Sequence, residues 1–237
     1  MLNGTAFPFL TEKGHIISLV GGGGKTTLLY AMAAQYARNA RKGWKVLVTT
    51  TTHIQQPANS LFARNDAELA AQWDAGSYAV AGSPAENDKL TVLQEPQLSR
   101  WIAKADVVLI EADGAKHFPC KAPAAHEPVL LPQSDIVLAV AGLSALHRPL
   151  REVCFRPEQA CEVLGAEPQM LLTPVMLARL LCSEQGGRKL VGSRQFYAVL
   201  NQADTPELRQ YGRQIQSFLQ ENGVQSILTH FEQGERA

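Results

Sequence analysis

Runs of consecutive apolar residues alternate along this chain with longer stretches in which Ala, Leu, Gln and Arg recur at helical spacing. Continuous apolar runs mark strands buried on both faces, and the 3.6-residue recurrence marks helices that cover them. Strands are therefore expected at 15–20, 45–50, 106–111, 136–140, 195–200 and 226–228, and helices at 26–41, 66–73, 96–103, 157–164, 173–182 and 206–220. Strand and helix in strict alternation imply parallel pairing, because a parallel neighbour needs a crossover long enough to hold a helix. The expected fold is α/β, a mostly parallel central sheet with helices on both faces in three αβα layers. A single P-loop-type domain should span 1–237, with a small helical insertion at 145–190.

Local signals refine the boundaries. Gly43 lies just past the first helix, Asp66 is placed to cap the second, and Pro96 suits a first turn. The polar passage through His53, Gln55 and Pro57 should cross the top of the sheet. Gly82, Ser83 and Pro84 read as the turn of an edge hairpin between 78–80 and 90–93.

Composition narrows the class. An apolar fraction of 46% and a charged fraction of 19% suit a folded unit with a sizeable core. The 22 basic residues balance 22 acidic ones, so no general positive field exists to draw nucleic acid or an anionic membrane. Neither partner is expected. Cys120, Cys154, Cys161 and Cys182 form no CxxC pair, which fits a reducing cytoplasm. The first residues lack the basic and apolar regions of a secretion signal, and no apolar run is long enough to span a bilayer.

The most informative segment joins the first strand to the first helix. Gly21-Gly22-Gly23-Gly24-Lys25-Thr26-Thr27 places glycines where backbone N–H groups can turn toward an anion at a helix N-terminus. Lys25 would neutralise terminal phosphates, and Thr26 would ligate Mg2+. The standard spacing asks for glycine six residues before the lysine, where this chain has Leu19. The shorter GxxGKTT form resembles the ATP loop of Mur-type ligases.

Acids follow at the ends of later strands. Glu111 and Asp113 are alternative candidates to hold the metal or to position water, and one of them can equally cap the turn. Thr49 to Thr52 end the second strand, where Thr51 is a candidate metal or γ-phosphate contact. Asn201-Gln202-Ala203-Asp204 sits where GTPases carry NKxD, with Asp204 toward a base and Asn201 bracing the loop. Gln202 replaces the lysine, which leaves ATP and GTP both open as the triphosphate.

The combination Glu111-Ala112-Asp113-Gly114-Ala115-Lys116, then Lys121-Ala122-Pro123, then His126-Glu127-Pro128, is more specific than the glycine loop. Together with VGGGGKTTLL and the threonine run it resembles the signature of YqeC-like selenium-dependent hydroxylase accessory proteins. That resemblance implies a P-loop NTPase-like protein serving the maturation of molybdenum hydroxylases, with such a hydroxylase or its maturation proteins as partners. The rival readings are a nucleotide-gated scaffold with slow hydrolysis and an ATP-dependent ligase.

Within this segment Lys116, Lys121 and His126 are candidates for an anion-binding patch facing the nucleotide, with Arg148 and Arg151 as additions or as solvated residues. Cys120 is a candidate carrier thiol or a packing residue. His126-Glu127 is a candidate metal or substrate contact, although it lacks the HExxH spacing of a zinc protease.

Overall fold

The computed structural model describes residues 7–39, 43–57 and 61–231. In chain order the elements are β1 (Ile16–Gly21), α1 (Lys25–Asn39), β2 (Val46–Thr50), β3 (His53–Gln55), α2 (Asp66–Asp74), β4 (Tyr78–Val80), β5 (Ser83–Ala85), β6 (Lys89–Thr91) and α3 (Gln97–Lys104). The second half holds β7 (Val107–Glu111), β8 (Cys120–Lys121), β9 (Ile136–Gly142), α4 (Leu150–Val153), β10 (Cys154–Phe155), α5 (Pro157–Leu164), α6 (Pro174–Cys182), β11 (Gln195–Asn201), α7 (Pro206–Glu221) and β12 (Gln225–Leu228). The expected end of the first helix at Arg41 falls outside the described residues.

Seven strands form one sheet in the order β12-β11-β9-β1-β7-β2-β4, and every pairing in it is parallel. Side chains alternate between the faces of a strand, so each continuous apolar run feeds two cores. In β9, Ile136, Leu138 and Val140 join Leu28, Leu29, Met32 and Tyr36 of α1, whereas Val137, Ala139 and Ala141 join the opposite cluster with α2, α3 and α4 to α7. The result is a three-layer αβα fold. Helices α4 to α6 lie between β9 and β11, which are neighbours in the sheet. Among the described residues no helix is long and apolar enough to cross a membrane.

Three local expectations are corrected. His53 to Gln55 does not simply cross the sheet. It forms β3, paired antiparallel with β6, which pairs in turn with β5. The hairpin is therefore β5–β6, turning through Asn87 and Asp88 at φ 57° and 52°, a conformation these short polar residues tolerate. β4 instead joins the main sheet beside β2. Gly82 belongs to no turn of that hairpin, and a Cβ there would lie 2.7 Å from Leu90 Cβ. Finally, Asn65 caps α2 by accepting from Glu68 N–H, while Asp66 accepts from Trp101 Nε1 at 2.8 Å and pairs with Arg100 and Lys104.

Trp101 joins α3 to α2 and the sheet: it is fully buried in one cluster with Leu69, Trp73, Val108 and Ile110. Trp101→Ala is expected to cost about 3–5 kcal/mol, read as a lowered urea midpoint. Met170→Ala, at an exposed position, should stay within about 0.5 kcal/mol of the parent.

Candidate functional site

Because β1 lies between β9 and β7, the glycine loop emerges at the middle of the sheet's carboxyl edge, where ligands of open α/β folds bind. Not all of its N–H groups face outward as the sequence suggests. Gly21 N–H is taken by Asp113, Gly22 N–H by Val140 O at 2.9 Å, and Gly23 N–H by Phe118 O at 2.9 Å. These glycines serve close packing. Gly23 has φ 77°, and a Cβ on it would lie 2.1 Å from Gly142 N. Available donors begin at Gly24: the first bond of α1 runs from Leu28 N–H to Gly24 O, so the N–H groups of Lys25, Thr26 and Thr27 have no partner within the helix.

Lys25 folds back beneath this loop. Its Nζ donates to Gly21 O at 2.6 Å and lies 3.1 Å from Asp113 Oδ1 and 3.9 Å from Glu111 Oε1. Burial works against its charge, but Asp113 and Glu111 outweigh burial and hold its pKa above the ordinary lysine range. The two acids differ. Asp113 uses both oxygens on Gly21 N–H, at 3.2 and 3.0 Å, and pairs with Lys25 and with Lys121 at 2.9 Å. It is a fully engaged brace.

Glu111 is the under-neutralised member. Its Oε2 accepts from the Thr26 hydroxyl at 2.7 Å, and its cation, Lys25, sits closer to Asp113. Burial pushes its pKa up, against Lys25 and Thr26 and with help from Asp113. A buried carboxylate short of positive charge, touching a hydroxyl at the start of α1, suits a hard divalent cation. Among the described residues no cluster of three or more His, Cys, Asp or Glu is placed to hold a metal by itself.

The threonine run ties β2 to β7. Thr50 donates its hydroxyl to Glu111 O at 2.8 Å, Thr51 donates to Val129 O at 2.7 Å, and the buried hydroxyl of Thr49 has no partner. Thr51 keeps acceptor capacity. It borders a cleft of about 950 Å³ that starts at Gly22 to Thr26 and is walled by His53, Lys89, Lys116, His117, His126 and Arg156.

The EADGA and HEP segments meet below that cleft. Lys121, its side chain 1% exposed, lies 2.9 Å from Asp113 and 2.8 Å from Glu127 and donates to Gly114 O at 2.6 Å. Glu127 also accepts from Arg156 at 2.6 and 3.2 Å and from Ala124 N–H. The anion patch read from the sequence is thus divided, with Lys116 and His126 on the cleft and Lys121 sealed beneath it. Glu127 is a clamp whose acceptor sites are already occupied by cations.

Cys120 does not reach the cleft as a carrier thiol must, being 1% exposed behind the loop. It stands opposite Cys154 in the β8–β10 pair, and its contact, with burial, pushes the Cys154 thiol up. Arg148 and Arg151 are exposed and off the cleft, Arg148 pairing with Glu152.

On the other side of β1, Asn201 donates to Gly23 O at 2.7 Å and accepts from Thr229 at 2.9 Å, so it braces the loop from the end of β11. Gln202 takes φ 62° and meets Ser144. Asp204 is exposed at the turn into α7. Sequence reasoning missed Arg156, Phe155 and Lys89. Arg156 directly precedes a helix-starting proline, but nothing in that pattern reveals its φ of 66° or its pairing with Glu127.

Glu127 yields a test. Burial opposes its ionisation, yet Lys121, Ala124 N–H and Arg156 together hold its pKa below the ordinary glutamate range. A depressed acid pKa contributes stability that is complete above the unfolded value and is lost as pH falls through the folded one. Glu127→Gln should therefore cost about 1–3 kcal/mol at neutral pH, less than for an isolated buried pair because Asp113 still faces Lys121. In denaturant titrations across pH the deficit should shrink on acidification. A deficit independent of pH contradicts the assignment.

The YqeC protein family matches residues 17–158, a span that runs from β1 into α5 and carries the glycine loop, Glu111, Asp113, Lys121, Glu127 and Arg156. The "Uncharacterized protein YqeC" of Escherichia coli (strain K12) is 33% identical over 207 residues, which cover 79% of this chain and 76% of that protein. With the family matching more than half of the chain and a relative aligned over most of both lengths, this chain belongs to the YqeC family.

Proposed function

We propose that the protein binds a nucleoside triphosphate with Mg2+ at the start of α1 and cleaves its terminal phosphoanhydride. One observation carries the reading: Lys25 and Thr26 open a helix directly after the central strand, and Thr26 touches the under-neutralised Glu111 at 2.7 Å. The N–H groups of Gly24 to Thr27 and the dipole of α1 favour phosphate oxygens there. Lys25, kept charged by Asp113 and Glu111, stabilises negative charge as it moves toward the leaving oxygen. Asp113 holds the loop and Lys25 in register.

Thr26 and Glu111 fit a magnesium ion, which when bound screens the phosphate charges and aligns them for in-line displacement. Glu111 and Thr51 border the space from which water approaches. ATP and GTP both fit this reading, since Asn201 is engaged in bracing the loop and Gln202 replaces the lysine of the guanine motif. The resemblance to selenium-dependent hydroxylase accessory proteins supports a place for this activity in the maturation of molybdenum hydroxylases, with those enzymes or their maturation factors as partners.

Equilibrium titration with ATP and GTP analogues that resist hydrolysis tests this directly. Lys25→Ala should weaken triphosphate binding at least tenfold, and Thr26→Val should remove the gain in affinity that Mg2+ gives while leaving metal-free binding intact. Equal affinity of the parent and Lys25→Ala contradicts the proposal.

A further inference from the structure

The cleft extends far from the phosphate loop, and it does so on one side. Its walls come from the segments after β2 and β7, from Phe155 and Arg156 and from the β3–β6–β5 sheet, whereas its lining includes none of Gly142, Asn201 and Asp204 at the other half of the carboxyl edge, beyond β9 and β11. A triphosphate lying along the start of α1 with its nucleoside over the ends of β9 and β11 turns its terminal phosphate toward Glu111. The first half remains for another molecule.

That space sets Lys89, Lys116 and Arg156 against the acids Glu86, Glu111 and Glu127. Lys116 stands 5.4 Å from the centre of the Phe155 ring, and the Arg156 guanidinium lies 4.4 Å from the same centre. Phe118 stacks on Phe155 at 5.9 Å. Lys89 reaches the cleft from the opposite wall. Among the described residues neither Lys89 nor Lys116 has an anionic partner, and the nearby acid Glu127 is already neutralised by Lys121 and Arg156. Lys116, His117 and Arg156 all hold positive φ, at 46°, 66° and 66°. Such conformations cost energy in non-glycine residues and gather where the surrounding structure holds a site in shape.

We propose that this half of the cleft is a second-substrate site for a small molecule bearing an oxyanion, phosphate or carboxylate, bound between Lys116 and Lys89 beside the terminal phosphate of the nucleotide. The proposal rests on the triphosphate reading for its neighbour, and its test separates the two. Full-length protein saturated with a non-hydrolysable ATP or GTP analogue and Mg2+ is titrated with inorganic phosphate and, separately, with citrate. The parent should bind at least one of the two probes, and which one binds distinguishes a phosphate from a carboxylate ligand. The Lys89→Gln, Lys116→Gln double variant should bind that probe at least tenfold more weakly with its affinity for the triphosphate analogue unchanged. Among the described residues both side chains lack ionic partners, so the variant's thermal midpoint should stay close to the parent's.

Four outcomes overturn the proposal: no probe bound, equal probe binding by the variant, displacement of the triphosphate by the probe, or loss of triphosphate affinity in the variant. The last means that the nucleotide itself fills the cleft. If the triphosphate analogue fails to bind the parent at all, the reading of the glycine loop fails first, and probe binding by the double variant then judges the anion site alone.

Discussion

The site hangs on an alternating chain of charges, Lys25, Asp113, Lys121, Glu127 and Arg156, most of it closed off from solvent. Removing a single ionised group from water costs several kcal/mol, and each link here is tolerable only because the next one neutralises it. The chain runs from the glycine loop to the far wall of the cleft. It explains why the EADGA acid, the KAP lysine and the HEP glutamate occur together: they are one ion network spread over the segment after β7, the short strand β8 and the segment that follows it. Losing Glu127 frees the wall at Arg156, whereas the loop keeps its anchor through Asp113.

The sheet determines where this network sits. Two-sided burial fixes β1, β7 and β9 as neighbours, and their carboxyl ends bring Gly21, Glu111 and Gly142 to one edge. Close approach does the rest. Gly23 lies against Gly142 with no room for a side chain, so the loop cannot relax away from β9, and Asn201 holds it from β11. With Gly21 to Gly23 committed to packing, the first residues of α1 present the unpaired donors. Among the described residues, Glu111 alone of the buried acids keeps a deficit of positive charge.

Much of this was legible in the amino-acid pattern, for physical reasons. Continuous apolar runs bounded by turn signals suggest strands buried on both sides, and the long strands, with the helices whose two ends are described, lie within a residue or two of their expected places. The bracing by Asn201 follows from its position at a strand end. Other features were not legible. Asp113 meets Gly21 and Lys25 from a distant part of the chain, and no local pattern distinguishes an under-neutralised acid from a brace. Cys120 looks reactive beside lysines in sequence, but it is buried opposite Cys154, a contact set by the β8–β10 register. The antiparallel β3–β6–β5 sheet is built from strands of three residues each, too short for periodicity to register. The αL backbone at Lys116 and Arg156 has no signature, because neither residue favours it.

The central claim is that Gly24 to Thr27, with Lys25 and Glu111, form a phosphate and magnesium site. A crystal structure with a non-hydrolysable triphosphate and Mg2+ tests it most directly. The account predicts β- and γ-phosphate oxygens on the Lys25 to Thr27 N–H groups, Lys25 Nζ between them, and the metal bonded to Thr26 with Glu111 in its immediate surroundings. Phosphates bound elsewhere, with Lys25 still folded onto Gly21 O and Asp113 and no metal at Thr26, contradict it.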